Sequence, residues 1–243
     1  MPKQAQDLAV QTGSLIVAVV TASEIVVGAD SKAVALNETR DASVACKIIQ
    51  VGKVFFASAK LAGDQQGRFD VAAVATESIQ QGGALAEITT RFKNLIKGPV
   101  LSYLRRVKRT QSPAVFDQIC PVGTGSVLDI VFFGIEDQTP TLYLCSLFNE
   151  ADYDLNDIDA SIEGLRGSGY IPLGHTDSVR QILEAEPDYF KRNGNIRGVK
   201  KLLEVAIEDS PEYVGGPICL LRIDKKSARW LERPAHCPPI KGY

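Results

Sequence analysis

The run Gly13-Ser14-Leu15-Ile16-Val17-Ala18-Val19-Val20 places a hydroxyl directly after a glycine, at the head of an unbroken apolar stretch. After Thr21-Ala22-Ser23, the segment Glu24-Ile25-Val26-Val27-Gly28-Ala29 is again apolar. A half-exposed strand alternates apolar and polar residues, so two continuous apolar runs across a tight connection read as a buried hairpin. A serine opening such a strand, behind a glycine and a short leader, suits a nucleophile released by cutting the chain in front of it. A hydroxyl is a weak nucleophile at neutral pH and needs a base, and a chain-terminal Ser carries its own α-amino group for that task. That amine has an ordinary pKa of about 8, and a lysine ammonium held close lowers it by like-charge repulsion. Asp30 and Lys47 follow in the chain; a lysine held close would tune the amine, and an aspartate would in turn fix the lysine.

Working outward, Lys47–Val51 and Val54–Ala59 predict a second hairpin across Gly52-Lys53. Arg68 to Gln80 has helical spacing, Gly82-Gly83 breaks it, and a helix resumes over Ala84 to Lys97. Pro99 is expected to separate that helix from Val100–Val107, whose basic neighbours Arg105, Arg106, Lys108 and Arg109 read as a solvated helix end. Val127–Ile135 and Thr141–Phe148 predict strands joined by 136–140, and helices follow over Thr176–Ala185, capped by Thr176 or Asp177, and Ile196–Ile207. Pro217–Ile223 and Ala228–Leu231 predict a last hairpin. This order suits an α+β fold with two sheets packed face to face and helices outside.

Composition bounds the rest. The 243 residues fit one large domain or two small ones, with 45% apolar and 23% charged residues, ordinary globular values. A net charge of −2 argues against nucleic acid or an anionic membrane surface as the main partner. No apolar stretch is long enough to predict a membrane span, and residues 1–13 lack the apolar core of a secretory signal. Cys46, Cys120, Cys145, Cys219 and Cys237 are odd in number and widely spaced, so neither a zinc pattern nor a disulfide framework is expected, and a cytoplasmic location follows. With only His175 and His236, no His-based metal site and no cofactor are expected.

The runs Gly13 to Ala33, Lys47-Ile48-Ile49 and Phe55-Phe56-Ala57-Ser58-Ala59-Lys60-Leu61-Ala62-Gly63-Asp64 resemble the N-terminal third of a proteasome β-type subunit. They are also similar to the bacterial proteasome-like proteases of the same N-terminal-nucleophile (Ntn) hydrolase superfamily. Gly28-Ala29-Asp30-Ser31-Lys32-Ala33 is the most specific match; Gly167-Ser168-Gly169 and Tyr213-Val214-Gly215-Gly216 match two further elements. The resemblance implies a four-layer αββα sandwich, a leader or propeptide over 1–13, an Ntn-hydrolase domain over 14–232 and a tail over 233–243. It implies autocleavage before Ser14 and hydrolysis of peptide amide bonds, with Ser14 as nucleophile and Lys47 held by Asp30. Ser168 would sit beside the nucleophile and assist proton transfer, and backbone amides near Ala59 and Lys60 would hold the oxyanion. It also implies a peptide or protein substrate and a homo-oligomeric ring, and names no ATPase partner. Four positions depart from the pattern. Ser14 stands for a threonine, Lys60 for a glycine and Val214 for a serine. Pro211 stands for an aspartate, a role that the nearby Asp209 would have to take.

Two other readings stand beside this one. The fold would also suit an uncleaved, non-catalytic homologue acting in assembly or binding, or a non-peptide amidase. Asp152, Asp154, Asn156 and Glu163 copy the oxygen spacing of a helix-loop-helix calcium site, but Asp157 stands where that loop requires glycine, and an acidic solvated loop is the reading.

Overall fold

The computed structural model describes residues 10–12, 14–36, 43–63, 69–121, 125–149 and 155–243. The fold is mixed α+β. In chain order come β1 (Val10–Thr12), β2 (Leu15–Thr21), β3 (Glu24–Ala29), β4 (Lys32–Leu36), β5 (Ser43–Val44), β6 (Ile48–Val51) and β7 (Val54–Lys60). Helices α1 (Val71–Gln80), α2 (Leu85–Thr110) and α3 (Pro113–Ile119) follow, then strands β8 (Ser126–Glu136), β9 (Thr139–Phe148), β10 (Asp159–Arg166) and β11 (Ser168–Gly174). The chain ends with α4 (Asp177–Ala185), α5 (Tyr189–Asn193), α6 (Asn195–Asp209), β12 (Cys219–Asp224) and β13 (Ala228–Glu232). The strands build two five-stranded antiparallel sheets, ordered β10-β9-β8-β7-β6 and β11-β2-β3-β12-β13, and a small sheet β1-β4-β5.

Burial on both faces explains the unbroken apolar runs. Successive side chains of a strand point to opposite faces. Ile16, Ala18 and Val20 of β2 enter a core shared with Phe55 and Ala57 of β7 and Val131 and Phe133 of β8, that is, between the two sheets. Leu15, Val17 and Val19 enter a second core with Val179, Leu183, Val199, Leu202 and Leu203 of α4 and α6. On the other sheet, Phe56, Ile130 and Phe132 pack against Val71 and Ala75 of α1, Phe92, Ile96 and Tyr103 of α2 and Phe116 of α3.

The fit of α6 on β3 depends on Gly28. A Cβ there would lie 2.5 Å from Val199 Cγ1 and 2.6 Å from Leu203 Cδ1. The absence of a side chain lets the helix settle onto the strand that ends in Asp30.

Three expectations need correction. Helix α2 runs unbroken through Pro99. The ring lies on the exposed side, while Ile96, Val100, Leu104 and Val107 continue one buried face across it. Proline costs roughly 3 kcal/mol in a helix interior, less than burying several large side chains returns at about 1.5–3 kcal/mol each. The acidic segment ending at Glu163 is not a loop to its end: Glu163 lies in β10, paired with Leu144 of β9. Asp152 and Asp154 fall outside the described residues. The basic end of α2 is not merely solvated: Arg105 donates to the carbonyls of Leu155 (2.7 Å) and Asn156 (2.9 Å). No helix among the described residues is long and apolar enough to cross a membrane.

Gly28→Ala is expected to destabilise the fold by about 1–3 kcal/mol through overpacking against α6, read as a lowered urea midpoint. An unchanged midpoint would show that α6 does not rest on this strand.

Candidate functional site

The β2–β3 hairpin returns the chain so that Ser14 and Asp30 meet at one end. Asp30 N–H donates to the Leu15 carbonyl at 3.1 Å, and Asp30 Oδ1 accepts the Leu15 N–H at 2.7 Å. Both Ser14 and Asp30 are buried, Asp30 without any exposure. The same Oδ1 accepts from the Lys47 ammonium at 2.7 Å. Oδ2 accepts the backbone N–H groups of Lys32 and Gly215, both at 3.1 Å. Lys47 also donates to the Lys32 carbonyl at 2.6 Å. The carboxylate thus takes four donors, the arrangement a buried charge demands. Burial pushes the Lys47 ammonium below its ordinary value of 10.5, and the attraction and hydrogen bond of Asp30 oppose this.

The loop after α6 closes the other side. Ser31 N–H and Lys32 N–H both donate to Gly215 C=O (3.0 and 2.9 Å), Ser31 Oγ to Pro217 C=O and Lys32 Nζ to Pro211 C=O. The segment 213–216 singled out in the sequence therefore clasps Asp30. Asp209 does not take part: it is the last, exposed residue of α6.

Ser168 is not beside Ser14 either. β11 runs antiparallel to β2, pairing Ser168 with Thr21 and Gly174 with Leu15. Six residues of strand put Ser168 about 20 Å from the Ser14 end, and it is exposed. The Gly167-Ser168-Gly169 triplet opens β11, and Gly174-His175-Thr176 occupies the junction between β11 and α4. Gly174 has φ +90°, and a Cβ on it would lie 1.9 Å from the Ser14 carbonyl oxygen. His175 N–H donates to that oxygen at 2.9 Å. The imidazole stacks on Tyr213 (centroids 4.4 Å, 13° between planes). Burial lowers its pKa from 6.5; Lys60 acts the same way, and Asp177, Glu212 and Asp30 oppose. Sequence reasoning did not single out His175, which stands between Gly174 and Thr176, the N-cap of α4.

Lys60, where the family pattern has glycine, keeps a glycine-like backbone at φ +68°. Such a conformation costs of order 1–3 kcal/mol for a residue with a side chain. Its ammonium is anchored: it donates to Ser126 C=O at 2.9 Å and to Ser126 Oγ, and pairs with Asp129 at 3.4 Å. Asp129 in turn accepts from Ser126 Oγ (2.6 Å) and Ser146 Oγ (2.7 Å). Lys60, Leu61, Val127, Gly174, His175 and Tyr213 are among the residues lining a cavity of about 270 Å³; Ser14 does not line it, but its carbonyl is held by His175, which does.

The cysteines correct a further expectation. Cys46 and Cys237 form a disulfide, with Cα atoms 5.0 Å apart and a sequence separation of 191. The residue before Lys47 is thereby tied to the C-terminal tail. The pairing has no local spacing for the sequence to reveal.

No family model matches the chain, and no curated protein matches it. Among solved structures, the chain is similar to a Gly-1 mutant of Anbu from Hyphomicrobium sp. strain MC1, at 14% identity and a TM-score of 0.49, over 90% of this chain and 87% of that one. At that identity and score the likeness assigns no activity to this chain.

Two outcomes follow from the buried pair. Lys47→Met strands the Asp30 charge and is expected to cost about 3–5 kcal/mol, measured by urea unfolding. In the parent, the Lys47 Cε resonance should titrate below the ordinary 10.5. In Asp30→Asn the midpoint should fall further, because the carboxylate that raises it is gone while burial remains. A midpoint moving up in Asp30→Asn would refute this electrostatic account.

Proposed function

We propose that the chain is a proteasome β-like Ntn hydrolase that cleaves peptide amide bonds after autocleavage between Gly13, which lies outside the described residues, and Ser14. The observation that carries this reading is the buried Lys47–Asp30 pair, whose shared carboxylate oxygen also binds the amide of Leu15, the residue after Ser14. The three cores, helices against a sheet, sheet against sheet and sheet against helices, support the αββα arrangement.

In this reading Ser14, once chain-terminal, attacks the substrate carbonyl through its hydroxyl. Its α-amino group takes the proton through a water, and the Lys47 ammonium keeps that amine neutral enough to act. Backbone amides at Ala59 and Lys60 hold the oxyanion, and the left-handed backbone of Lys60 supports that role. The acyl group on Ser14 Oγ then passes to water. The adjoining cavity receives a side chain of the substrate; Leu61 and Val127 give it an apolar wall, and His175 and Tyr213 its rim. The reading also carries assembly of copies into a homo-oligomeric ring.

One observation favours the non-catalytic alternative. The junction facing Ser14 holds Gly174 and His175, not the serine the family pattern puts there.

Intact mass separates the readings. The parent is expected to shorten so that Ser14 becomes the first residue, and Ser14→Ala to stay full length. A parent that remains full length under all conditions, assembled or not, overturns the autocleavage. On a panel of fluorogenic peptides, folded Lys47→Met should be slower than the parent by roughly 10²–10⁴-fold, the range of general acid–base assistance. A parent with Ser14 exposed at its terminus that cleaves nothing gives the case to the non-catalytic homologue. Light scattering that reports a monomer at micromolar concentration would refute the ring.

A further inference from the structure

Behind Lys47 lies a sulfur cluster that the proposed hydrolysis does not use. The Sγ atoms of Cys46, Cys219 and Cys237 all lie within 4.8 Å of one another. Two are bonded to each other. The third, Cys219, is a buried thiol with its Sγ 3.3 Å from Cys237 Sγ. A thiol this close to one sulfur of a disulfide has the partner it needs for exchange. With two sulfurs joined, only one thiol is left to bind a metal, so exchange is the chemistry this arrangement offers.

We propose that Cys46, Cys219 and Cys237 form a thiol–disulfide exchange site in which one bridge moves between Cys46–Cys237 and Cys219–Cys237. The step balances within the chain. Cys219 loses its proton and its sulfur attacks Cys237 Sγ; the Cys219–Cys237 bond forms and the Cys46–Cys237 bond breaks. The electron pair leaves on Cys46 Sγ, which takes up one proton. No external oxidant or reductant is consumed.

The closeness of Cys219 to Cys237, not its acidity, favours the exchange. Burial pushes the Cys219 thiol up. The contact with the Ser31 hydroxyl, a hydrogen bond with the Lys47 backbone and the charge of Lys47 act against this, while the Asp30 charge adds to it. Ser31 Oγ lies 3.5 Å from Cys219 Sγ. The bridge's position also decides what is tethered. Joined to Cys46, the tail is fixed to the residue before Lys47; joined to Cys219, it is fixed to β12 beside Ser31, and Cys46 is released. The tail is otherwise held by Gln50 against Lys241 (2.7 and 2.9 Å) and by Tyr243 against Phe55 (centroids 5.7 Å). Release of Cys46 therefore frees the segment leading to Lys47 without undocking the tail. A consequence for catalysis rests on the hydrolase reading; the exchange itself does not.

The test is a linkage map of the full chain. Protein equilibrated in a glutathione redox buffer is quenched in acid, alkylated with N-ethylmaleimide and digested, and its bridged peptides are identified by mass spectrometry. The parent is expected to yield both Cys46–Cys237 and Cys219–Cys237, with alkylation divided between Cys219 and Cys46. Cys46→Ser should form Cys219–Cys237. In Cys219→Ala only Cys46–Cys237 should remain, and native-state alkylation of Cys46 should fall to background. Cys219→Ser provides the same lock should the alanine variant fold poorly. The proposal is overturned if the parent shows Cys46–Cys237 alone while Cys46→Ser keeps both remaining thiols free, or if all three are free thiols holding zinc. The map needs no activity, so a chain that cleaves no peptide loses the hydrolase reading and keeps this result.

Discussion

A carboxylate with no access to water organises this molecule. Removing a charge from solvent costs several kcal/mol unless its lone pairs are met, and Asp30 meets that demand with donors from four places in the chain: Leu15, Lys32, Lys47 and Gly215. Each comes from a different segment: the head of β2, the start of β4, the approach to β6 and the loop before β12. None can shift without leaving a buried charge short of a partner. The register of the central hairpin, the depth of Lys47 and the path of the 210–217 loop are therefore coupled through one side chain. Ser14 inherits a fixed position from this arrangement, because its neighbour Leu15 bonds Asp30 through both its N–H and its carbonyl.

The opposite wall of the site is built on a second acid. Asp129, on β8, gathers Ser126, Ser146 and the Lys60 ammonium. A glycine at position 60 would adopt a left-handed backbone without strain. Lysine adopts it at a cost, and its ammonium gains two hydrogen bonds and an ion pair in return. Lys60 thus places a cation in the cavity lining while keeping a left-handed backbone. Gly174 has no such freedom. Its contact is the Ser14 backbone itself, and no side chain fits between them.

The hairpins and the pairing of Lys47 with Asp30 were legible because buried strands leave few places for polar groups. A lysine and an aspartate embedded in apolar runs need each other, and the structure joins Lys47 to Asp30. Ser168 and Asp209 were misplaced for a different reason: whether a loop residue reaches the site depends on strand direction and helix length, and short motifs encode neither. β10 went unread because its exposed edge position removes the apolar pattern. Pro99 misled because a local cost was weighed without the buried face that outweighs it. The Cys46–Cys237 bridge was invisible for want of any local spacing.

The two chemistries of this region meet at one short segment. Cys46 belongs to the sulfur cluster and Lys47 to the ion pair, and the backbone of Lys47 is itself a hydrogen-bond donor to Cys219. The ammonium is held by Asp30 and by the Lys32 carbonyl, both on the β3–β4 side, so its grip does not depend on the disulfide. What the disulfide adds is a limit on how far the preceding residue can move. A buried lysine is sensitive to such limits, because its proton affinity balances desolvation against one carboxylate at 2.7 Å. A small displacement that lengthens this contact weakens the attraction while the burial remains, which lowers the proton affinity further. Under the proposed exchange, movement at Cys46 would reach the charge of Lys47 only by lengthening this contact.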